Sequence, residues 1–237
     1  RHNDSDRFGS ETTARLGAAW AATDTVTVRA SWGQGFKAPT VFQTTFFCCG
    51  ATAPNPDLQA ETSDAFDVGV AWEDPQGRAR AALTAFRQET ENQIDFAFAS
   101  GGYLNIARVE ATGLEFSGAV ALADWLGVTL DYAWIDAEDG DGNALQRIPE
   151  HTADLALVAN EGGRFSGRLL VRHNGAEPEG ALEVPAWTRV DVTAQWRPSD
   201  RLEIFGRIEN LLDESYQQVL GYGTPDLSGT VGVRVRW

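Results

Sequence analysis

Apolar and polar residues alternate with a period of two along nearly the whole chain, the signature of strands whose two faces meet different surroundings. In residues 25–32, Val26, Val28, Ala30 and Trp32 share one face, while Thr25, Thr27, Arg29 and Ser31 share the other. Phe66, Val68, Val70 and Trp72 oppose Asp67, Gly69 and Ala71; Leu114, Phe116, Val120 and Leu122 oppose Glu115, Ser117 and Ala119. The same arrangement recurs over residues 128–134, 190–197, 202–209 and 230–237. It predicts about eleven strands and no helix of any length. Short connections rich in turn formers lie near Thr23-Asp24, Asp74 to Gly77, Ala123 to Gly127, Glu161 to Gly163 and Pro198 to Asp200. They alternate with longer ones at roughly 35–61, 138–147, 175–185 and 212–224. A further short link near Ser100 to Gly102 joins two unusually long strands. This is the layout of an up-and-down antiparallel meander.

Two architectures fit such a meander. A soluble sandwich or lipocalin-like barrel turns the apolar face inward, whereas an outer-membrane barrel turns it toward lipid and lines its lumen with the polar face. Trp20, Trp72, Trp125, Trp187, Trp196 and Trp237 gather near strand ends or loops, as interfacial girdles do, rather than at strand centres. The polar faces carry Thr, Gly and paired signs, notably Arg168, Arg172, Asp191, Arg207 and Glu209. Both features favour the membrane barrel.

Composition narrows the classes further. With 19 Lys and Arg against 34 Asp and Glu, the formal charge of −15 has the wrong sign for neutralising phosphates, so nucleic acid is not an expected partner. No stretch approaches the roughly 18–20 apolar residues of a spanning helix, and no leader-like segment opens the chain. The absence of Met leads to the expectation that the chain is a mature form or a fragment. His2, His151 and His173 have no nucleophile or ligand partner at a recognised spacing, so no enzyme is expected. Asp139, Asp141 and Asn143 place oxygens at alternate positions as a calcium loop does, but Ala144 replaces the turn glycine and the closing Glu is missing, which favours an acidic hairpin tip. Cys48 and Cys49 are adjacent in the longest loop; a vicinal bridge and pairing with cysteines elsewhere both remain open.

Five segments resemble the TonB-dependent outer-membrane receptors, in order and over essentially the whole chain. They are "GQGFKAPTVFQ" (33–43), "NPDLQAETSDAFDVGV" (55–70, with Ala60 where Pro is usual), "NIARVEATGLEFSG" (105–118), "RIPEHTADLAL" (147–157) and the closing "IENLLDESYQQVLGYGTPDLSGTVGVRVRW". The resemblance implies an all-β, antiparallel up-and-down transmembrane barrel. Residues 1–237 would form the C-terminal part, about eleven strands or half of a 22-stranded wall. The plug domain, TonB box and remaining strands would lie outside this sequence, since an odd number of antiparallel strands cannot close. Residues 1–10 would belong to an extracellular loop.

By the same resemblance the protein sits in the bacterial outer membrane. It imports a scarce solute (ferric siderophore, cobalamin, haem or oligosaccharide) with energy delivered by the TonB complex through the plug. Arg168, Arg172, Asp191, Arg207, Glu209 and Arg234 would face the plug. His151 would pack in the wall or touch the plug. Phe42, Phe46, Phe47, Tyr103, Trp187 and Tyr222 are the candidate ligand-contacting aromatics. Trp237, ending an alternating strand, would be the assembly signal read by the barrel-insertion machinery. A passive porin-like or structural barrel and a secreted β-sandwich binding protein are the alternatives.

Overall fold

Two of the short connections close tight hairpins with side chains that supply the turn bonds. Asp74 Oδ2 accepts from the Gln76 and Arg78 amides, both at 3.2 Å, and Gly77 takes the left-handed φ of 70° that the turn requires. Thr23 Oγ1 accepts from the amides of Thr25 and Val26 at 3.2 and 3.0 Å. The computed structural model describes residues 1–5, 9–49, 54–97 and 100–237. A hairpin of β1 (His2–Ser5) and β2 (Gly9–Thr12) precedes β3 (Arg15–Ala21), β4 (Val26–Lys37), β5 (Glu61–Glu73), β6 (Ala79–Ala97), β7 (Gly102–Ala123) and β8 (Leu126–Asp139). Then come β9 (His151–Ala159), β10 (Phe165–Asn174), a second small hairpin of β11 (Glu177–Glu179) and β12 (Leu182–Val184), β13 (Trp187–Ser199), β14 (Leu202–Glu209) and β15 (Ser228–Val235). β3 to β10 and β13 to β15 form one antiparallel sheet of eleven strands in chain order, the expected meander. One element departs from expectation: α1 (Val41–Thr45), a single helical turn, sits in the long loop after β4. Thr40 and Gln43 cap it reciprocally, a capping box legible in "TVFQ".

The registers keep the alternation in phase across the sheet. Trp32 faces Phe66, Ala30 faces Val68, Val28 faces Val70 and Val26 faces Trp72, so one face is apolar and the other carries Arg29, Ser31, Asp67 and Glu73. Little of the apolar face is covered: Phe66 is 51% exposed, Val70 42%, Leu122 58% and Val231 81%. A water-soluble monomer of 25.7 kDa exposes roughly 10,400 Å² by the usual mass scaling, whereas this chain exposes 15395 Å². A single sheet with its apolar face bare is not a sandwich, and that alternative is set aside. On β7 the outward apolar run from Leu114 to Leu122 covers about nine residues, the length that a tilted strand needs to cross hydrocarbon.

The outer apolar band ends sharply. One row beyond Leu114 and Trp134 stand Arg87, Thr112 and Asp136, and further along Arg108 pairs with Glu89 at 2.7 Å and with Glu110 at 3.0 Å. β6 and β7 therefore continue past the band into water. At the opposite end Trp20, Trp72, Trp125, Phe165, Trp196 and Trp237 flank the short turns, and Phe165 stacks on Trp196 with centroids 5.7 Å apart. Trp187 is the correction: it shares the inner face with Arg189 and Asp191 and is only 5% exposed, so it is not a girdle residue.

Two glycines on the inner face let aromatic rings lie flat across the ladder, Phe86 over Gly113 and Phe205 over Gly232. A Cβ on Gly113 would stand 2.7 Å from the Phe86 ring and 2.5 Å from the Trp134 carbonyl oxygen. Gly113→Ala is expected to cost about 1–3 kcal/mol, seen as a lower unfolding temperature for the heat-modifiable gel band, while Gly127→Ala, with space around it, leaves that temperature unchanged.

Candidate functional site

At the long-loop end, side chains from the segments between strands reach back to the wall. Asn105 on β7 clasps the backbone of Gln59, accepting from its amide at 2.9 Å and donating to its carbonyl at 3.0 Å. It also donates to the carbonyl of Asn92, which takes a left-handed φ of 55° within β6. Asn55 Nδ2 donates to the Tyr103 carbonyl at 3.1 Å, and Leu58 between them is 3% exposed. Lys37 Nζ pairs with Glu61 at 2.9 Å, closing the base of the same loop.

These clasps carry an aromatic cluster at the tip of β6 and β7. Phe42 and Phe46 on and beside α1 stack at 4.7 Å; Phe96 and Tyr103, partners across the hairpin, meet edge-on at 5.4 Å; Phe46 lies 6.0 Å from Phe96 and 6.3 Å from Tyr103. Three candidate ligand aromatics, Phe42, Phe46 and Tyr103, are thus brought together with Phe96, which sequence reasoning missed. Phe42 remains 57% exposed and Phe47 45%. Beside them Cys48 and Cys49 form a vicinal disulfide, and the Cys48 amide donates to the Gly101 carbonyl at 2.7 Å. Tyr222 stands apart, 73% exposed in the last loop. Trp187 is covered by Tyr216, with ring centroids 4.6 Å apart, and so presents no ring face to a ligand in this state.

The Trp187 contact belongs to a second cluster that folds the last loop against the inner face. Arg189 donates to the Tyr216 hydroxyl at 2.8 Å and to Asp191 at 2.9 Å; Asp191 in turn accepts from the Asn210 amide at 3.0 Å. Asn210, 1% exposed, exchanges bonds with the Glu214 backbone at 2.9 Å in both directions. Asn210, Asp213 and Tyr216 all belong to "NLLDESY", and Asp213 accepts from the Leu227 amide at 2.9 Å. Glu179 ties three further segments together. It accepts from Arg147 at 3.0 Å and from the Leu220 amide at 2.9 Å, joining the loop after β8, the β11–β12 hairpin and the last loop.

The inner-face candidates fall where alternation puts them, and register supplies partners the sequence did not. Arg172 binds Asp154 bidentately, both bonds 2.9 Å; Arg207 pairs with Glu209 at 2.7 Å. Glu203, its side chain 7% exposed, takes Arg197 at 3.1 Å and Arg234 at 2.5 Å. Arg168 has no partner among the described residues. His151 shares the outer face, bonded to the Tyr132 hydroxyl at 2.9 Å, in keeping with the wall-packing alternative and not with a plug contact. Asp139 spends its oxygens on the hairpin, accepting from the amides of Asp141 and Asn143 at 2.9 Å and from the Asn143 side chain at 3.1 Å. Asn143 thus turns a donor, not an oxygen, toward Asp139, and no group of potential metal ligands occurs among the described residues.

A wall with an apolar outer band, aromatic edges and a charged inner face defines a transmembrane β-barrel segment. A family model described as "TonB dependent receptor-like, beta-barrel" matches residues 1–211, and the chain belongs to that family. The vitamin B12 transporter BtuB of Vibrio cholerae serotype O1 is 28% identical over 240 residues, covering 94% of this chain and 36% of that protein. BtuB of Photobacterium profundum is 26% identical, covering 91% and 36%. Among solved structures, the ferric enterobactin receptor PfeA of Pseudomonas aeruginosa superposes with a TM-score of 0.81 at 19% identity, over 97% of this chain and 41% of that one. The siderophore receptor PirA of the same organism gives 0.79 at 22%, over 99% and 41%. The chain therefore spans little more than a third of the length of the curated relatives it matches.

Two outcomes follow from the loop chemistry. The Leu220 amide, ahead of the Arg147 guanidinium, holds the Glu179 carboxyl below the ordinary glutamate range. A depressed value means the clasp is fully present above the ordinary value of about 4.3 and is lost as pH falls below it through the folded-state value. The protection factor of the Leu220 amide, taken relative to its intrinsic exchange rate at each pH, is expected to fall on acidification through that window, and Glu179→Gln to make it low and nearly pH-independent. A calcium chelator is expected to leave the melting curve unmoved, since Asp139 is already satisfied by its own hairpin.

Proposed function

We propose that this wall is the C-terminal half of an outer-membrane receptor that takes up a scarce, bulky solute of the corrinoid or ferric-siderophore class. The aromatic cluster of Phe42, Phe46, Phe96 and Tyr103 carries the reading, because it presents stacking faces at the outer rim of a polar, water-lined wall. Large flat or ring-bearing solutes gain stacking energy there, while the charged inner face offers a hydrated route past hydrocarbon. The solutes for which the relatives are named, vitamin B12 and ferric enterobactin or other siderophores, belong to this class.

In this reading the remainder of the polypeptide supplies the other strands and a plug that fills the lumen. The TonB complex acts through that plug, and hydrocarbon of the outer membrane solvates the apolar band. The passive-barrel reading differs in one measurable respect, since it leaves the lumen open.

The test uses the full-length protein in detergent, titrated separately with cyanocobalamin and ferric enterobactin by tryptophan fluorescence. One of the two is expected to bind. Phe42→Ala with Phe46→Ala should weaken that binding about tenfold, the worth of one well-stacked aromatic contact of ~1.4 kcal/mol. Binding of neither solute, together with large steady conductance in planar bilayers, would favour the passive barrel.

A further inference from the structure

The loop between β4 and β5 turns on a residue that does not favour its own backbone. Cys49 takes a left-handed φ of 57°, a region that is costly for side chains other than those of Asn and Asp. Of the other non-glycine residues with positive φ among the described residues, Asn92, Asn160, Asn210 and Asp213 are of the tolerant kind. Arg147 is held from outside, its guanidinium by Glu179 at 3.0 Å and its amide by the Pro178 carbonyl at 2.9 Å. Cys49 is held covalently, by its neighbour Cys48. A bridge between adjacent residues closes no length of chain, so the entropic stabilisation that a disulfide gives by tying distant residues together is absent here. Its effect is confined to the peptide it spans.

That peptide is where the loop meets the tip of β6 and β7. Phe47 pairs with Gly102 in an antiparallel bridge, and the Cys48 amide donates to the Gly101 carbonyl at 2.7 Å, so the segment runs as a short extra strand along the hairpin tip. Upstream, Lys37 ties the start of the loop to Glu61 at 2.9 Å. Between these two ties α1 brings Phe42 to within 6.1 Å of Tyr103, and Phe46, directly after it, lies 6.0 Å from Phe96 and 6.3 Å from Tyr103. Ring contacts of this kind are individually weak, so where the rings sit depends on where the ends of their segment are fixed. The bridge is also within reach of water, with Cys49 exposed and Cys48 half-buried, which leaves its sulfurs open to attack by a small thiol.

We propose that the Cys48–Cys49 bridge positions the aromatic face for its solute, and that an external dithiol undoes this positioning. The inference rests on the proposed receptor reading, in which that face stacks on the solute. While the bridge is intact the rings are preorganised, and binding does not have to order them. A thiolate of the dithiol attacks one bridge sulfur, the S–S bond breaks, and the departing cysteine sulfur takes up a proton. The second thiol of the reagent then displaces the other cysteine, which is protonated in turn; the protein gains two S–H bonds and the reagent becomes a disulfide. Cys49 is then free to leave the left-handed region, the Cys48–Gly101 bond loosens, and Phe42 and Phe46 lose their fixed place against Phe96 and Tyr103.

The full-length protein in detergent is titrated anaerobically with cyanocobalamin and with ferric enterobactin, before and after treatment with dithiothreitol that is removed by gel filtration. Reduction is expected to weaken the probe that binds roughly fivefold, the equilibrium factor for releasing one left-handed residue, and to lower the exchange protection of the Cys48 amide by a similar factor. The unfolding temperature of the heat-modifiable band stays where it was, and oxidised glutathione restores the affinity. Cys48→Ser with Cys49→Ser is expected to bind as the reduced protein does, whether or not it has met dithiothreitol. In Phe42→Ala with Phe46→Ala reduction brings no further loss, because the bridge acts through those rings. Equal affinity in the oxidised, reduced and double-serine proteins would overturn the inference and leave the receptor reading in place. So would a lower unfolding temperature on reduction, which would make the bridge a general staple. Binding of neither probe by the oxidised wild type would overturn the receptor reading, and this inference with it.

Discussion

A strand that separates two solvents must satisfy its backbone entirely within the sheet and then divide its side chains by parity. Hydrocarbon offers no hydrogen bond to a stray amide, so ladder bonds have no substitute at that depth. Parity then allows no gradual compromise, since a slip of one residue would put Arg172 and Asp191 into lipid and Val171 and Val190 into the lumen. This explains why so few residues are buried while the sheet remains specified. Its apolar contacts are made with a solvent, and its register is fixed by the cost of exchanging faces.

The same constraint decides what could be read from the sequence. The face assignments of β4, β5, β7, β8, β13, β14 and β15 were legible because a period of two survives any uncertainty about where a strand ends. Trp187 was misassigned although the signal was present: extending the parity of Arg189 and Asp191 two residues back places it inside. The capping box of Thr40 and Gln43 likewise announced α1, but a five-residue helix is invisible to a search for periodicity. What could not be read was partnership. Arg172 finds Asp154 18 residues away and Asn105 finds Gln59 46 away, and only the register of intervening strands determines such pairs. The left-handed backbone of Asn92 within β6 likewise has no pattern around it.

The segments that resemble the receptor family share one physical feature. None owes its character to the lipid-facing row, where any apolar residue of reasonable size serves. Each instead supplies polar groups that bind loop to wall: Lys37 to Glu61, Asn105 to Gln59, Arg147 to Glu179, Asn210 to Glu214 and to Asp191. A hydrocarbon-facing strand constrains only polarity, whereas a clasp constrains atoms. A chain 28% identical to its relatives can therefore keep recognisable loop bases over a wall specified mainly by alternation.

This division of labour also locates where the molecule can move. β6 and β7 are joined through a register running from Ala79–Val120 to Ala97–Gly102, and opening any part of it at membrane depth would strand backbone groups in hydrocarbon. The clasps are in water and consist of one to three bonds, each worth about 1 kcal/mol net. On that scale a two-bond clasp such as Glu179 opens a few per cent of the time without disturbing the wall. A receptor needs a rigid frame around a lumen and loops that admit and then retain a solute. Here the frame is held by a solvent that forbids broken bonds, and the loops are held by one that forgives them.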